Sequence, residues 1–353
     1  MNSYIKTVLA TLATLLLATG PSVAQSAFVH GWTLDPASSH LNFITVKKGK
    51  VMEASHFATL EGRIDQNGAA TFDVLLDSID TKIDLRNVRM RFLMFETFAY
   101  PKATVTAQLT EEMLDGLNAD RVKAIDLPIT LDLHGVTKDL TASVLVKLGD
   151  NDNVTVTSAK PIVLSVSDFN LSDGLAKLEE AAEVTIVPST AITFGLSFAR
   201  NSTTDRKIVA SVAAPADTAI EPAGNFDAQA CETRFTTVSQ SGSISFSPNS
   251  ADLQSASAPL LNSVAAIVEK CPGMVIQIAG HTDNRGSADY NLALSKDRAA
   301  AVVSYLTALG VPDSRFVSRG FGETQPIANN ATRLGRSKNR RIEFVILSSG
   351  QNN

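Results

Sequence analysis

The sequence predicts two folded domains, an all-β antiparallel barrel or sandwich over residues 28–200 and an α/β sandwich over residues 229–353. Three observations carry this prediction. Apolar and polar residues alternate with period two through the first stretch, as in half-buried strands. Strand-like and helix-like segments alternate in the second. Between them, residues 201–228 include Ala213-Ala-Pro215 and Glu221-Pro222-Ala-Gly224, lack apolar periodicity and read as a linker between tethered domains. A chain of 353 residues exceeds one ordinary core, and a composition 44% apolar and 19% charged suits folded domains rather than a disordered chain.

Residues 1–24 read as a leader outside the fold. Lys6 precedes an apolar run from Val8 to Ala18, and Ser22-Val23-Ala24 supplies small residues for cleavage, the pattern of a secretory signal peptide. The run is shorter than the roughly 20 residues a membrane span needs. No cysteine stands near the cleavage point to carry a lipid anchor. Export to an oxidising compartment permits Cys231 and Cys271 to pair. Such a bridge closes a loop of about 40 residues and is worth roughly 4 kcal/mol by chain entropy. Two buried free thiols are the alternative.

The strand segments of the first domain include Leu41-Asn-Phe43-Ile-Thr-Val46, Ala70-Thr-Phe72-Asp-Val74 and Ile129-Thr-Leu131-Asp-Leu133. The last runs through His134-Gly135 into Leu140-Thr-Ala142-Ser-Val144, a hairpin with glycine at its bend. Two further strands are expected at Ile162–Val166 and Ile192–Phe198. Only Asn87–Phe98 and Gly174–Ala182 read as short helices. About eight strands is the size at which a barrel can hold one small ligand, yet the same alternation can fill a solid core. The Arg86-Asn87-Val-Arg89-Met90-Arg91 cluster reads as a solvated helix or loop with arginine salt bridges. No nucleophile, base or close carboxylate pair stands out, so enzyme chemistry has no support.

In the second domain, Ser243–Phe246 reads as a short strand and Phe246–Asp252 as a turn. Leu260, Leu261, Val264, Ile267 and Val268 form a helical stripe ended by Pro272-Gly273. An apolar strand at Met274–Ala279 leads into Gly280-His-Thr-Asp283-Asn-Arg-Gly286, followed by a long helix from about Ala288 to Leu309. Two more strands are expected at Phe316–Gly320 and Ile342–Ile346. Asp283 and Arg298 offer opposite charges that one small zwitterion can bridge, and helix-start amides favour an anionic group.

Charge divides unevenly. Residues 28–200 carry 16 basic and 23 acidic side chains, residues 229–353 carry 12 and 9. The second half is therefore drawn to an anionic polymer, while neither half has the basic stripe of a nucleic-acid binder. The histidines at 30, 40, 56, 134 and 281 show no metal-ligand spacing.

Residues 30–200 resemble the YceI family. The resemblance rests on Trp32-Thr-Leu34-Asp35, Ser39-His40-Leu-Asn-Phe43, Leu60-Glu-Gly62, the stretch Asp80 to Met90, Phe95-Glu96-Thr97, Tyr100-Pro101 and Leu133-His-Gly135-Val-Thr-Lys138. It implies a lipocalin-like eight-stranded barrel that in some members carries a long isoprenoid-type lipid. No set of ligand-contacting positions carries over.

Residues 230–347 resemble the OmpA-like peptidoglycan-binding domain through Gly280-His-Thr-Asp283, Tyr290-Asn291, Leu294-Ser295, Arg298-Ala299, Gly320, Gly322-Glu323 and Asn339-Arg340-Arg341-Ile-Glu343. The resemblance implies that Asp283 pairs with the ammonium of a diaminopimelate side chain and Arg298 with its carboxylate. Thr282, Asn291, Leu294, Arg340 and Asn249 take supporting positions, and His281 is left outside the site.

The combined expectation is a non-enzymatic periplasmic protein of a Gram-negative envelope, without cofactor or metal. It holds the peptidoglycan stem peptide through the second domain, near the outer membrane, and an apolar lipid in the first. A wall-bound scaffold whose solid barrel docks another envelope protein is the rival. An outer-membrane barrel fits less well, because the strands are irregular rather than a series of about ten-residue spans.

Overall fold

A computed structural model of the chain describes residues 26–149, 153–201, 224–241 and 244–348. The expected signal peptide over 1–24 and most of the 201–228 linker lie outside these residues.

The first domain is built from β1 (Trp32–Leu34), β2 (His40–Lys47), β3 (Val51–Phe57), β4 (Leu60–Ile64), β5 (Ala69–Leu75) and β6 (Ile79–Asp80). After helix α1 (Asp84–Arg89) and a π-helical turn (Met90–Met94) come β7 (Lys102–Gln108), helix α2 (Leu117–Asp120), β8 (Val122–Leu133) and β9 (Val136–Leu148). The remainder is β10 (Asn153–Ser158), β11 (Ile162–Ser165), helix α3 (Ser172–Ala182) and β12 (Ser189–Arg200). Eight strands close into a ring in the order β1-β4-β5-β7-β8-β9-β10-β12, because β1 pairs with both β4 and β12. The first half of β12 leaves the ring and carries β11 and β2, with β3 and β6 beyond β2.

The alternation does what period two requires. Ile129, Leu131 and Leu133 of β8 are buried, while Thr130 between them donates to Asp139 at 2.7 Å on the outer face. His134 and Gly135, both at positive φ, form the two-residue turn into β9, with a type I′ sign pattern that matches strand twist.

The second domain contains α4 (Ala228–Ser241), α5 (Ala258–Lys270), β13 (Val275–His281), α6 (Ala288–Ala308), β14 (Phe316–Gly322), α7 (Arg333–Asn339) and β15 (Ile342–Ser348). Its sheet runs β14-β13-β15, with β13 parallel to β14 and antiparallel to β15. Ile276 and Ile278 of the central strand are fully buried. Cys231 of α4 is bonded to Cys271 at the end of α5, and both are buried.

Two expectations are corrected. The strand expected at Ser243–Phe246, of which residues 244–246 are described, is reduced there to an isolated bridge from Phe246 to Leu253 across the turn. Helix α4, not anticipated from the sequence, buries Arg234, Thr237 and Ser241 beside Cys231, Phe235 and Val238. The domains are also more than tethered. Val88 and Phe92, on the outer side of the α1 segment, sit in one cluster with Cys231, Phe235 and Val268 of the second domain. Arg234 donates from Nη1 and Nη2 to both carboxylate oxygens of Asp84, at 3.1 and 3.2 Å. Lys177 donates to the Ser241 carbonyl at 2.8 Å, and Lys338 pairs with Glu180 at 3.0 Å.

Candidate functional sites

The first candidate lies at the C-terminal end of β13. There the chain leaves the sheet at His281, passes through Thr282 and Asp283 and enters α6 at Ser287, whose side chain accepts from the Tyr290 amide. Gly286, at φ 104°, makes the bend. Helix α6 can lie close over the sheet because Gly280 has no side chain: a Cβ there would stand 2.1 Å from the Ser295 carbonyl oxygen. The Ser295 hydroxyl in turn accepts from the Gly322 amide at 2.9 Å.

Asp283 is buried, with 6% of its surface exposed. Its Oδ1 accepts from the Arg285 amide at 2.9 Å and its Oδ2 from Arg340 Nη1 at 2.6 Å. Burial works to raise its pKa, but the Arg285 amide and the Arg340 guanidinium outweigh it and hold the carboxyl below its ordinary value. Asn291, also buried, donates from Nδ2 to the Asp283 carbonyl at 3.2 Å and to Glu323 at 2.6 Å. It thus fixes the loop from the helix side. The Thr282 hydroxyl is buried and makes no hydrogen bond.

Arg298 is drawn to the Phe246–Asp252 turn. Its Nε donates to the Ser250 carbonyl at 2.9 Å, and its guanidinium lies 5.0 Å from the centre of the Phe246 ring. Burial lowers its pKa; Tyr290 and Asp283 oppose that shift and Arg340 adds to it. Asn249 adopts φ 54° at the tip of this turn, and its carbonyl accepts from the Tyr290 hydroxyl at 3.4 Å. Leu294 is half-buried on α6 between Asn291 and Arg298.

The structure therefore gathers Asp283, Asn291 and Arg340 in one hydrogen-bonded set and Asn249 with Arg298 in another, joined through α6. Asp283 and Arg298 do not pair with each other directly; the Asp283 counterion is Arg340, which is 48% exposed. Sequence reasoning left out Glu323, Tyr290, Phe246 and the Ser250 carbonyl as site members. Glu323 and Tyr290 stood within the quoted motifs, whereas a main-chain acceptor such as Ser250 leaves no side-chain signal. His281, left outside the site, is buried, stacked on Phe321 with ring centres 5.2 Å apart, and 3.6 Å from Glu343. His281, then Arg341 against the opposing effect of burial, hold Glu343 at about 2.

The second candidate is the barrel lumen, a cavity of about 790 Å³. Phe43, Phe72, Leu131, Val144, Phe169 and Phe194 are among the apolar side chains that line it. The α1 segment, Phe169 and α3 stand at one end, contributing Met90, Met94, Leu175 and Leu178 to the wall. The choice between a solid and an open barrel is thereby decided for an open one. In the arginine cluster Arg86 makes an expected salt bridge, to Glu53 at 3.2 Å, whereas Arg91 departs from the expected solvated face by being buried. Among the described residues no group of three His, Cys, Asp or Glu side chains can hold a metal, and no helix is long and apolar enough to cross a membrane.

Comparison with known proteins divides the chain at the same place. The family described as a YceI-like domain matches residues 32–198, and the OmpA family matches residues 245–340. The peptidoglycan-binding protein ArfA of Mycobacterium tuberculosis is 44% identical over 105 residues, 30% of this chain and 32% of that protein. The probable lipoprotein YiaD of Escherichia coli is 38% identical over 103 residues, 29% of this chain and 47% of that one. The chain thus spans a third to a half of these relatives' length. A solved polyisoprenoid-binding domain from Saccharophagus degradans is 32% identical, covering 48% of this chain and 98% of that one, with a TM-score of 0.46.

Proposed function

Because the chain belongs to the YceI-like family over residues 32–198 and to the OmpA family over residues 245–340, we propose that it is a wall-anchored carrier of an apolar lipid in the bacterial periplasm. The observation that carries this reading is the lumen. An apolar cavity of about 790 Å³ suits a long isoprenoid-type chain and falls in the size range of ligand sites, roughly 300–1,000 Å³. A solid scaffold has no use for it.

The second domain supplies the anchor. A diaminopimelate side chain presents a free ammonium beside a carboxylate, and such a zwitterion needs a buried anion and a cation on one wall. Asp283 receives the ammonium, Arg298 and Arg340 the carboxylate, and Asn249, Thr282, Asn291 and Leu294 shape the pocket. The exposed half of Arg340 supports this assignment, since its guanidinium has hydrogen-bonding capacity to give. No step of bond making or breaking is involved: the protein holds wall and lipid.

Two measurements test it. Retention on purified diaminopimelate-type peptidoglycan is expected to fall at least tenfold (~1.4 kcal/mol) for Asp283→Ala combined with Arg298→Ala; undiminished retention overturns the anchor. Mass spectrometry of organic extracts of the native protein is expected to yield a lipid of isoprenoid type. Repeated extracts without lipid overturn the carrier.

A further inference from the structure

One opening of the lumen lies where apolar side chains that line it are also exposed: Ile83 at 47%, Leu85 at 40% and Val187 at 38%. Around that mouth the charges do not balance. Glu53 is shared by Lys47 at 2.9 Å and Arg86 at 3.2 Å, one carboxylate between two cations. Arg89 lies one helical turn beyond Arg86 on α1 and also lines the lumen. Its Nε is buried and has no hydrogen-bond partner. The neighbouring carboxylates are already engaged: Asp84 holds Arg234, and Asp80 holds Lys82 at 2.6 Å. In a domain whose acidic side chains outnumber its basic ones, this end of the apolar cavity carries Lys47, Arg86 and Arg89 against Glu53, while the acidic lining residues Glu111 and Asp115 belong to the α2 side.

A neutral hydrocarbon has no use for a buried donor at the rim of its cavity, whereas a guanidinium there matches an acidic head in charge and in fork geometry. We propose that the lumen's ligand is an amphiphile with an anionic head, and that Arg89 binds that head at the mouth while the tail fills the barrel. Arg86 and Lys47 are both held on Glu53 nearby, so an arriving anion meets net positive charge. The shared chemistry is a carboxylate or phosphate on a long apolar chain. This inference rests on the carrier reading and adds to it which end of the ligand faces out.

Trp32, the single tryptophan, lines the lumen, so its fluorescence reports filling. The test titrates the full chain, stripped of lipid, with tail-matched pairs: farnesyl phosphate against farnesol, and palmitate against hexadecanol. The wild-type protein is expected to bind at least one acid about tenfold more tightly than its alcohol, a difference of ~1.4 kcal/mol. Arg89→Gln is expected to abolish that preference while leaving each alcohol within twofold of wild type. A preference in both pairs assigns acids in general, and a preference in one pair assigns phosphate or carboxylate alone. Equal binding of acid and alcohol by the wild type overturns the head-group site and leaves the carrier standing. Loss of acid and alcohol alike in Arg89→Gln also overturns it, because the residue is then structural. Binding of none of the four overturns the carrier reading itself.

Discussion

Arg234 of the second domain, fully buried, lies on the carboxylate of Asp84 in the first, 150 positions earlier in the chain. The same guanidinium stacks over Phe226 at 4.0 Å and donates to the Ala230 carbonyl at 3.1 Å. Asp84 opens the helix whose other side lines the lumen, so the second domain rests directly on a wall of the barrel cavity.

Removing Asp84 leaves Arg234 without its carboxylate. Asp84→Ala is expected to weaken docking by roughly 1–3 kcal/mol, moderated by the half-exposed position of the Asp84 side chain. Small-angle scattering is expected to show a larger radius of gyration with both domains still folded by circular dichroism. An unchanged radius counts against the ion pair as a docking element.

Asn291 is predicted to act on binding through the loop it holds. Asn291→Ala deletes hydrogen bonds to the Asp283 carbonyl and to Glu323 in a buried setting, at a cost of about 1–3 kcal/mol to stability. Peptidoglycan retention is expected to fall with it although Asp283 and Arg298 remain. Full retention at lowered stability separates the loop's position from its function.

Close approach of α6 to β13 makes Gly280 irreplaceable. Gly280→Ala drives a Cβ to within 2.1 Å of backbone that cannot swing aside. More than about 2 kcal/mol of stability is expected to be lost, seen as a lower thermal midpoint.

The Cys231–Cys271 bridge spans 40 residues and pins α4, hence the docking face, to α5. Chain entropy predicts that replacing both by serine costs roughly 4 kcal/mol in urea unfolding of the second domain. A loss below about 1 kcal/mol points to compensating structure in the reduced chain.

Glu343, held at about 2 by His281 and Arg341, sits below its ordinary 4.5. A depressed carboxyl contributes stability that is present above pH 4.5 and lost as pH falls towards 2. The contribution is at most about 3 kcal/mol. Wild type is therefore expected to lose stability between pH 5 and 2 more steeply than Glu343→Gln, by thermal unfolding at several pH values. Parallel curves overturn the assignment.

Local chemistry by itself determined much of this protein. Period two in Ile129–Leu133 set the strand and its inward face, and His134-Gly135 set the turn, because strand faces and turn signs are decided within a few residues. Motif spacing likewise brought Asp283, Asn291 and Arg298 to one loop and one helix face. What only the tertiary structure decided involves partners distant in the chain. Helix α4 was not anticipated because its buried face interleaves Arg234 and Thr237 with Cys231, Phe235 and Val238, and the burial of those polar residues is satisfied by Asp84, Phe226 and nearby carbonyls. That Arg340 is the Asp283 counterion was not legible, because which arginine reaches a carboxylate depends on how α7 returns Arg340 to the loop. Whether the barrel was hollow depended on its closure: alternation specifies which side chains point inward, but the space left between them is set by the ring of eight strands that β1 closes against β12.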